Sequence, residues 1–383
     1  QKPVNGTGDL TFSRASSATR LNEQGLIETP SIIGSELIVN GHFTSGTTGW
    51  TPYSSATLNN SGSALNIVGA GTENGRATSP FTTVIGGLYH VTIDVVSVGS
   101  ISTIIGITNS PNGDSAYVNS SAITTQTSVD FYFTATATTT YVVFKRTGSV
   151  DGDTNIYDNV SVKELITSNI PRIDYSNGCG SLLLEGQRTN LFPYSSDYNQ
   201  TDWSKVNITI ESNSTISPDG TLNADKILEQ VGSSNGHFMF DNLGLSINTE
   251  YNFSVFVKKL NRRYVAIQNS YNTANGSIAF FDLDTETLVY TYSAGTVGTF
   301  IVSDAKIEKY PNGWYRLSAN FQSDAAGGFL PSLVLANSQW STGFSYNNTY
   351  TGDVTKGIYV WGAQVEAGSY PTSYIPTSGT TAT

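Results

Sequence analysis

The sequence predicts an all-β protein: two jelly-roll β-sandwich domains joined by an irregular β connector. Period-two alternation of apolar and polar residues recurs almost everywhere, and no stretch carries the period of an amphipathic helix. Charged residues make up only 13% of the 383 positions, and Thr, Ser, Asn and 37 glycines fill the deficit. With 21 Tyr and 17 Phe, this composition suits pleated, half-exposed sheets and not a disordered chain. The same strand plan also occurs twice, in a chain long enough for two domains with sizeable cores.

The alternation places individual side chains. In LYHVTIDVV, Tyr89, Val91, Ile93 and Val95 share one face, and His90, Thr92 and Asp94 share the other. EYNFSVFVK groups Tyr251, Phe253, Val255 and Val257, and GWYRLSANF groups Tyr315, Leu317, Ala319 and Phe321. The first copy of the plan opens on ELIVNGHF as an apolar strand, loops to Trp50, passes through the strand from Leu88 and DFYFTATATTTYVVF, and closes with NIYDNVSVKE. The second opens on TNLFPYSSDYNQTDW, passes through the strand from Glu250 and GWYRLSANFQSD, and closes with GIYVWGAQVEAG. Residue identities between the copies are weak, so the likeness is one of topology. The second copy adds a hairpin at SIAFFDLDTETLVYTY. The expected division is an arm over 1–34, a first jelly roll over 35–166, a connector over 167–192, a second jelly roll over 193–370 and an extended segment over 371–383.

The net charge is −11 and the basic residues are scattered, so the positive footprint of a nucleic-acid or anionic-membrane partner is missing. The apolar runs are too short and too alternating to span a bilayer as helices. The single cysteine, Cys179, excludes an intrachain disulfide and a cysteine metal cluster. The chain begins at Gln1, as a processed protein or part of a longer one would, and no signal peptide is visible.

Signals for catalysis are sparse, and the chain is expected not to be an enzyme. His42, His90 and His237 sit on separate strands without metal-ligand spacing. There is no G-x-S-x-G elbow, and the Ser-x-x-Lys match at Ser303 lies in an alternating strand. DGDTN, from Asp151, starts like a calcium loop, but Ile156 and Val162 stand at the sixth and twelfth positions, so a solvated turn is expected. Asp282, Asp284 and Glu286 alternate in FDLDTET and are expected on one wet strand face or hairpin tip. Sugar binding requires an exposed aromatic platform beside hydrogen-bonding groups. Trp50, Tyr53, Trp203, Trp340 and Tyr346 are the candidates, although a tryptophan after a Gly loop in a sandwich is more often a core plug.

Two resemblances extend this reading. LIVNGHF, TTGW and IYDNVSV resemble the first and last strands of the jelly-roll carbohydrate-binding modules attached to xylanases and related glycosidases. That resemblance implies a glycan-binding sandwich with a structural calcium, in which Asp158 of the last strand and Asn40 of the opening stretch would serve as ligands. His42 and Thr44 stand where acidic residues are common, and Trp361 takes the place of Asp158 in the second copy, where no ion is expected.

LTFSRASSATRLNEQGLIET and NIPRIDYSNGCGSLLLEGQRTNLFPYS, with the ending GAQVEAGSYPTSYIPTSGTTAT, resemble stretches of tailed-bacteriophage virion proteins. In those proteins the first two stretches follow one another almost directly. Their separation here implies that the first sandwich is inserted into a phage β unit. It further implies a tail-fibre, head-fibre or capsid-decoration protein on the virion surface, a homo-oligomer such as a trimer, with other virion proteins and host surface glycan as partners. The alternative is an accessory carbohydrate-binding part of a secreted or tail-borne polysaccharide-degrading enzyme. Arg14, Arg20, Arg172 and Arg188 are concentrated in these stretches, where they would either make fixed junction contacts or solvate an arm. Pro371 and Pro376 favour an extended ending.

Overall fold

The computed structural model describes residues 18–383 except 70–73, 113–115, 149, 167–169, 232–235, 273–274, 297, 326–329 and 341–348. The chain forms two compact units, Ser31–Thr167, and Gln1–Pro30 together with Ser168–Thr383. We call the first the inserted sandwich and the second the carrier. Among the described residues the only helical element is one 3-10 turn, Pro311–Gly313, and the rest is strand and loop.

In the inserted sandwich, one sheet orders its strands Ala116–Asn119, Thr103–Thr108, Thr139–Arg146, Arg76–Thr82, Thr51–Tyr53. The other runs Thr127–Thr134, Leu88–Val98, Thr154–Ile166, Leu65–Gly69, Ala56–Asn60, and Ile32–Glu36 also pairs with Thr154–Ile166. Val91, Ile93 and Val95 from the second sheet meet Ile105, Ile107 and Val142 from the first in one buried core. That is the face the alternation assigned to them.

The opening stretch departs from expectation. The strand is Ile32–Glu36, and the residues that follow turn. The Glu36 carboxylate accepts hydrogen bonds from the amides of Leu37, Ile38 and Val162, closing the strand there. Asn40 then adopts φ 59°, a left-handed conformation that Asn tolerates.

The carrier repeats the order. One sheet runs Ser204–Val206, His237–Phe240, Pro331–Ala336, Tyr264–Asn272, Asn275–Asp282, Thr287–Ala294. The other runs Ile208–Ile216, Leu222–Glu229, Gly357–Ala367, Tyr251–Lys259, Trp314–Ser323, Phe300–Tyr310. In both sandwiches the closing Ile-Tyr strand lies mid-sheet beside the long strand that begins near Leu88 or Tyr251. The extra hairpin of the second copy extends one sheet at its edge.

The carrier differs in what covers its sheets. Phe253, Val255, Leu317 and Phe321 fill the inter-sheet core as read from sequence. Asn252, Ser254, Phe256, Trp314, Arg316, Ser318 and Asn320, on the opposite face of the same strands, are buried as well. A second small core of Ile27, Phe256, Trp314, Trp361 and Tyr374 accounts for this, because the N-terminal arm and the C-terminal tail pack onto the outside of the sheet. The arm is a hairpin of Arg20–Leu21 and Ile27–Glu28, and a second hairpin joins Ile173–Asp174 to Ser181–Leu182.

These segments are tied across long sequence distances. Thr19 donates to the Tyr374 carbonyl through both its amide (3.0 Å) and its hydroxyl (2.8 Å). Arg20 bonds Glu28 and the Ile173 carbonyl. Arg172 bonds Glu185 and the Thr19 carbonyl. These arginines make fixed contacts, as expected of guanidinium forks, and Arg14 lies outside the described residues. The tail runs antiparallel to Asn190–Tyr194 through bridges to Ala382 and Ser378, so the extended ending folds back on the carrier.

Candidate functional site

Strand register builds a continuous polar face on the inserted sandwich. With Tyr89, Val91 and Ile93 turned inward, pleating turns His90, Thr92 and Asp94 outward. Their neighbours in the antiparallel ladder are Tyr132, Asp130 and Ser128 on one side, and Lys163, Ser161 and Asp158 on the other. The face is thus three rows of three: Tyr132–His90–Lys163, Asp130–Thr92–Ser161 and Ser128–Asp94–Asp158.

Tyr132 is 54% exposed, and its ring stacks on His90 at 4.5 Å and 16°. His90 Nε2 lies 2.8 Å from Asp130 Oδ1. Asp94 accepts from Ser128 Oγ (2.6 Å) and Asn159 Nδ2 (2.8 Å), and these bonds hold its carboxyl below the usual range. The far end is closed by His42 Nδ1, 2.8 Å from Asn159 Oδ1. A rigid aromatic side chain beside fixed carboxylates, hydroxyls and an amine has the chemistry to hold a sugar ring and its hydroxyls.

The residues singled out from sequence go elsewhere. Trp50 is 6% exposed and stacks on Phe144 at 5.0 Å and 11°, inside the core. Trp203 is 2% exposed, packs on Phe192 and Tyr198, and donates its indole N–H to the Tyr194 carbonyl. Trp340 is 5% exposed and packs on Phe280. These three are core plugs, and burial removes the ring faces a sugar would need. Tyr53 is exposed on an edge strand of the other sheet, apart from the Tyr132 platform. Tyr346 lies outside the described residues.

The two residues that the resemblance implied as calcium ligands, Asn40 and Asp158, each make local hydrogen bonds. Asn40 is committed to its own turn, donating to the carbonyls of Gly46 and Thr48 and accepting from the Ser45 amide. Asp158 accepts from the Asn159 amide. Calcium takes six to eight oxygens, whereas no group of three or more His, Cys, Asp or Glu that could hold a metal exists among the described residues.

Other acidic stretches are structural. Asp153, in the presumed solvated turn, accepts from Ser100, Ile101 and the buried Arg146. Asp282 is buried against Arg263, Asp284 pairs with Lys259 and more distantly with Arg263, and Glu286 pairs with Lys309, so the FDLDTET carboxylates are all tied to cations and only the latter two sit at a wet hairpin tip. Ser303 and Lys306 form no pair, since Lys306 bonds Asp304.

Among the described residues of the carrier, a cleft of about 310 Å³ lies where the two connector hairpins and the tail meet the outer sheet face. Phe256, Tyr310 and Arg316 line it from the sheet, Arg20 and Asp174 from the hairpins, and Tyr370 to Tyr374 from the tail. Sequence reading did not find it, because its walls are separated by hundreds of residues.

No known protein family matches the chain, and no curated protein does. Among solved structures, the chain is similar to a CBM4 carbohydrate-binding module at 15% identity, over 33% of this chain and 99% of that one, with a TM-score of 0.28. It is also similar to the N-terminal CBM22 tandem of Paenibacillus barcinonensis Xyn10C at 14% identity, over 90% of this chain and 99% of that one, with a TM-score of 0.30. Likeness at that level adds nothing to the strand order, on which the assignment of two β-sandwiches rests.

Proposed function

We propose that the chain is a non-catalytic, glycan-binding structural component of a bacteriophage virion, a tail or capsid fibre that presents the inserted sandwich to host surface polysaccharide. The observation that carries the glycan reading is the exposed Tyr132–His90 stack, set in a face of carboxylates and hydroxyls. The virion assignment is supported by the resemblance of the arm, connector and tail to phage virion proteins. The fixed contacts of Arg20 and Arg172 give those stretches a physical role in building the carrier. A flat, shallow face binds one chain weakly, so presentation of several copies, as in a trimeric fibre, would supply the avidity.

The test is binding of the intact chain to purified capsular and lipopolysaccharide glycans on an array, with immunogold electron microscopy of phage particles. Array binding that drops at least tenfold in Tyr132→Ala, with the same melting temperature, supports the glycan reading. Label on tail or capsid supports the virion reading. Array binding without any particle label transfers the same face to an accessory module of a polysaccharide-degrading enzyme.

A further inference from the structure

We propose that the cleft of the carrier is a second, separate binding site, for a carboxylate-bearing sugar residue such as a uronic acid, with Arg316 as its anion-recognising group. The starting observation is an imbalance of charge. Arg146, Arg172 and Arg316 are all buried, and Arg146 and Arg172 are paired with Asp153 and Glu185. Arg316, 5% exposed, has no carboxylate partner among the described residues. Its Nη2 donates to Ser254 Oγ at 2.9 Å, its guanidinium lies 5.4 Å from the Phe256 ring centroid, and its Nε–H has no acceptor. A buried guanidinium without a counter-ion is costly, and a planar fork matches a carboxylate. Arg316 borders the cleft, which is where that counter-ion can enter.

The rest of the lining narrows the ligand. Thr19, Ser176, Thr372 and Ser373 contribute polar groups, and the exposed Tyr370 contributes an aromatic ring. Glu308, cross-strand neighbour of Arg316, and Asp174 also line it. These carboxylates accept hydroxyl hydrogens and repel a dianion more than a monoanion. A monoanionic, polyhydroxylated ligand satisfies both requirements, whereas phosphate or sulfate satisfies one. A volume of about 310 Å³ is at the small end of ligand sites, enough for one sugar ring.

The experiment is titration of the intact chain with glucuronate, galacturonate, glucose, galactose and inorganic phosphate, followed by calorimetry and ligand-observed NMR. The expected result is millimolar or tighter binding of a uronate, with the neutral sugar and phosphate at least tenfold weaker. Arg316→Lys, which keeps the charge and loses the fork, should weaken uronate binding at least tenfold with the fold intact. Arg316→Gln should abolish binding without lowering the melting temperature, because it removes an unpaired charge. Glu308→Gln should tighten binding severalfold. Uronate and neutral sugar binding equally, phosphate binding in preference, or no uronate binding would each overturn the proposal. Tyr132→Ala should leave uronate binding here unchanged, so failure of this site and failure of the polar face are separate outcomes.

Discussion

The two sandwiches share one strand order and differ in the outside of one sheet. In the inserted sandwich, His90, Thr92 and Asp94 meet water. In the carrier, the corresponding face of Tyr251–Lys259 carries Asn252, Ser254 and Phe256 and is buried under the arm and tail. Alternation of apolar and polar residues therefore identifies which side faces the core and leaves the fate of the other side open. Polar residues on that side can be a ligand surface or the floor of a further layer.

The largest effect expected from breaking the covering layer is at Tyr374. Its ring packs on Trp361 at 4.5 Å, and its hydroxyl is 2.6 Å from Ser195 Oγ. Tyr374→Ala should destabilise the carrier by about 3–5 kcal/mol in chemical denaturation, as for other buried aromatics. The equally aromatic Tyr132→Ala, on the bare face, should cost under about 1 kcal/mol, the range of an exposed cross-strand pair.

Next is the polar floor. Asn320 accepts from Asn252 Nδ2 at 2.7 Å and donates to the Ser369 carbonyl at 2.6 Å. Asn320→Ala leaves buried groups without partners and should cost about 1–3 kcal/mol, whereas Thr92→Ala should fall within about 0.5 kcal/mol.

A smaller, pH-dependent effect is expected at Asp241. Burial raises its carboxyl to about 6, and its Oδ2 has no hydrogen-bond partner. The folded state holds this proton more tightly than the unfolded one. The associated stability is therefore complete below the ordinary carboxylate range and is lost as pH rises through about 6. Asp241→Asn should raise stability at pH 7.5 by on the order of 1–2 kcal/mol and leave it unchanged at pH 3.5, read from paired denaturation curves.

The smallest effect is that of metal. Calcium or a chelator should leave the melting temperature of either sandwich unchanged, since the Asn40 and Asp158 side chains are already bonded. A calcium-dependent rise would mean that the opening turn rearranges around the ion.

Core faces were legible in the sequence because pleating alone sets them, as at Tyr89, Val91, Ile93 and Val95. The tryptophans were not, since a ring that stacks on a ligand and a ring that stacks on Phe144 have the same local sequence. Tyr132 was overlooked for a related reason. In DFYFT its outward phase between Phe131 and Phe133 is readable, yet its platform exists only because register sets it against His90. The LIVN stretch reads as a strand by propensity, but the Glu36 side chain caps the strand just before it and Asn40 turns the chain. The cleft required contacts such as Thr19 with Tyr374, which no local pattern encodes.

The contrast between the two faces is tested most directly by hydroxyl-radical footprinting of the intact chain, with and without host surface polysaccharide. Tyr132 should oxidise quickly in the native protein and be protected by the polysaccharide, while Trp314, Trp361 and Tyr374 oxidise only on unfolding. Native oxidation of Trp314 and Trp361 at the rate of Tyr132 would contradict the covered face, and no protection of Tyr132 would contradict its role as a glycan platform.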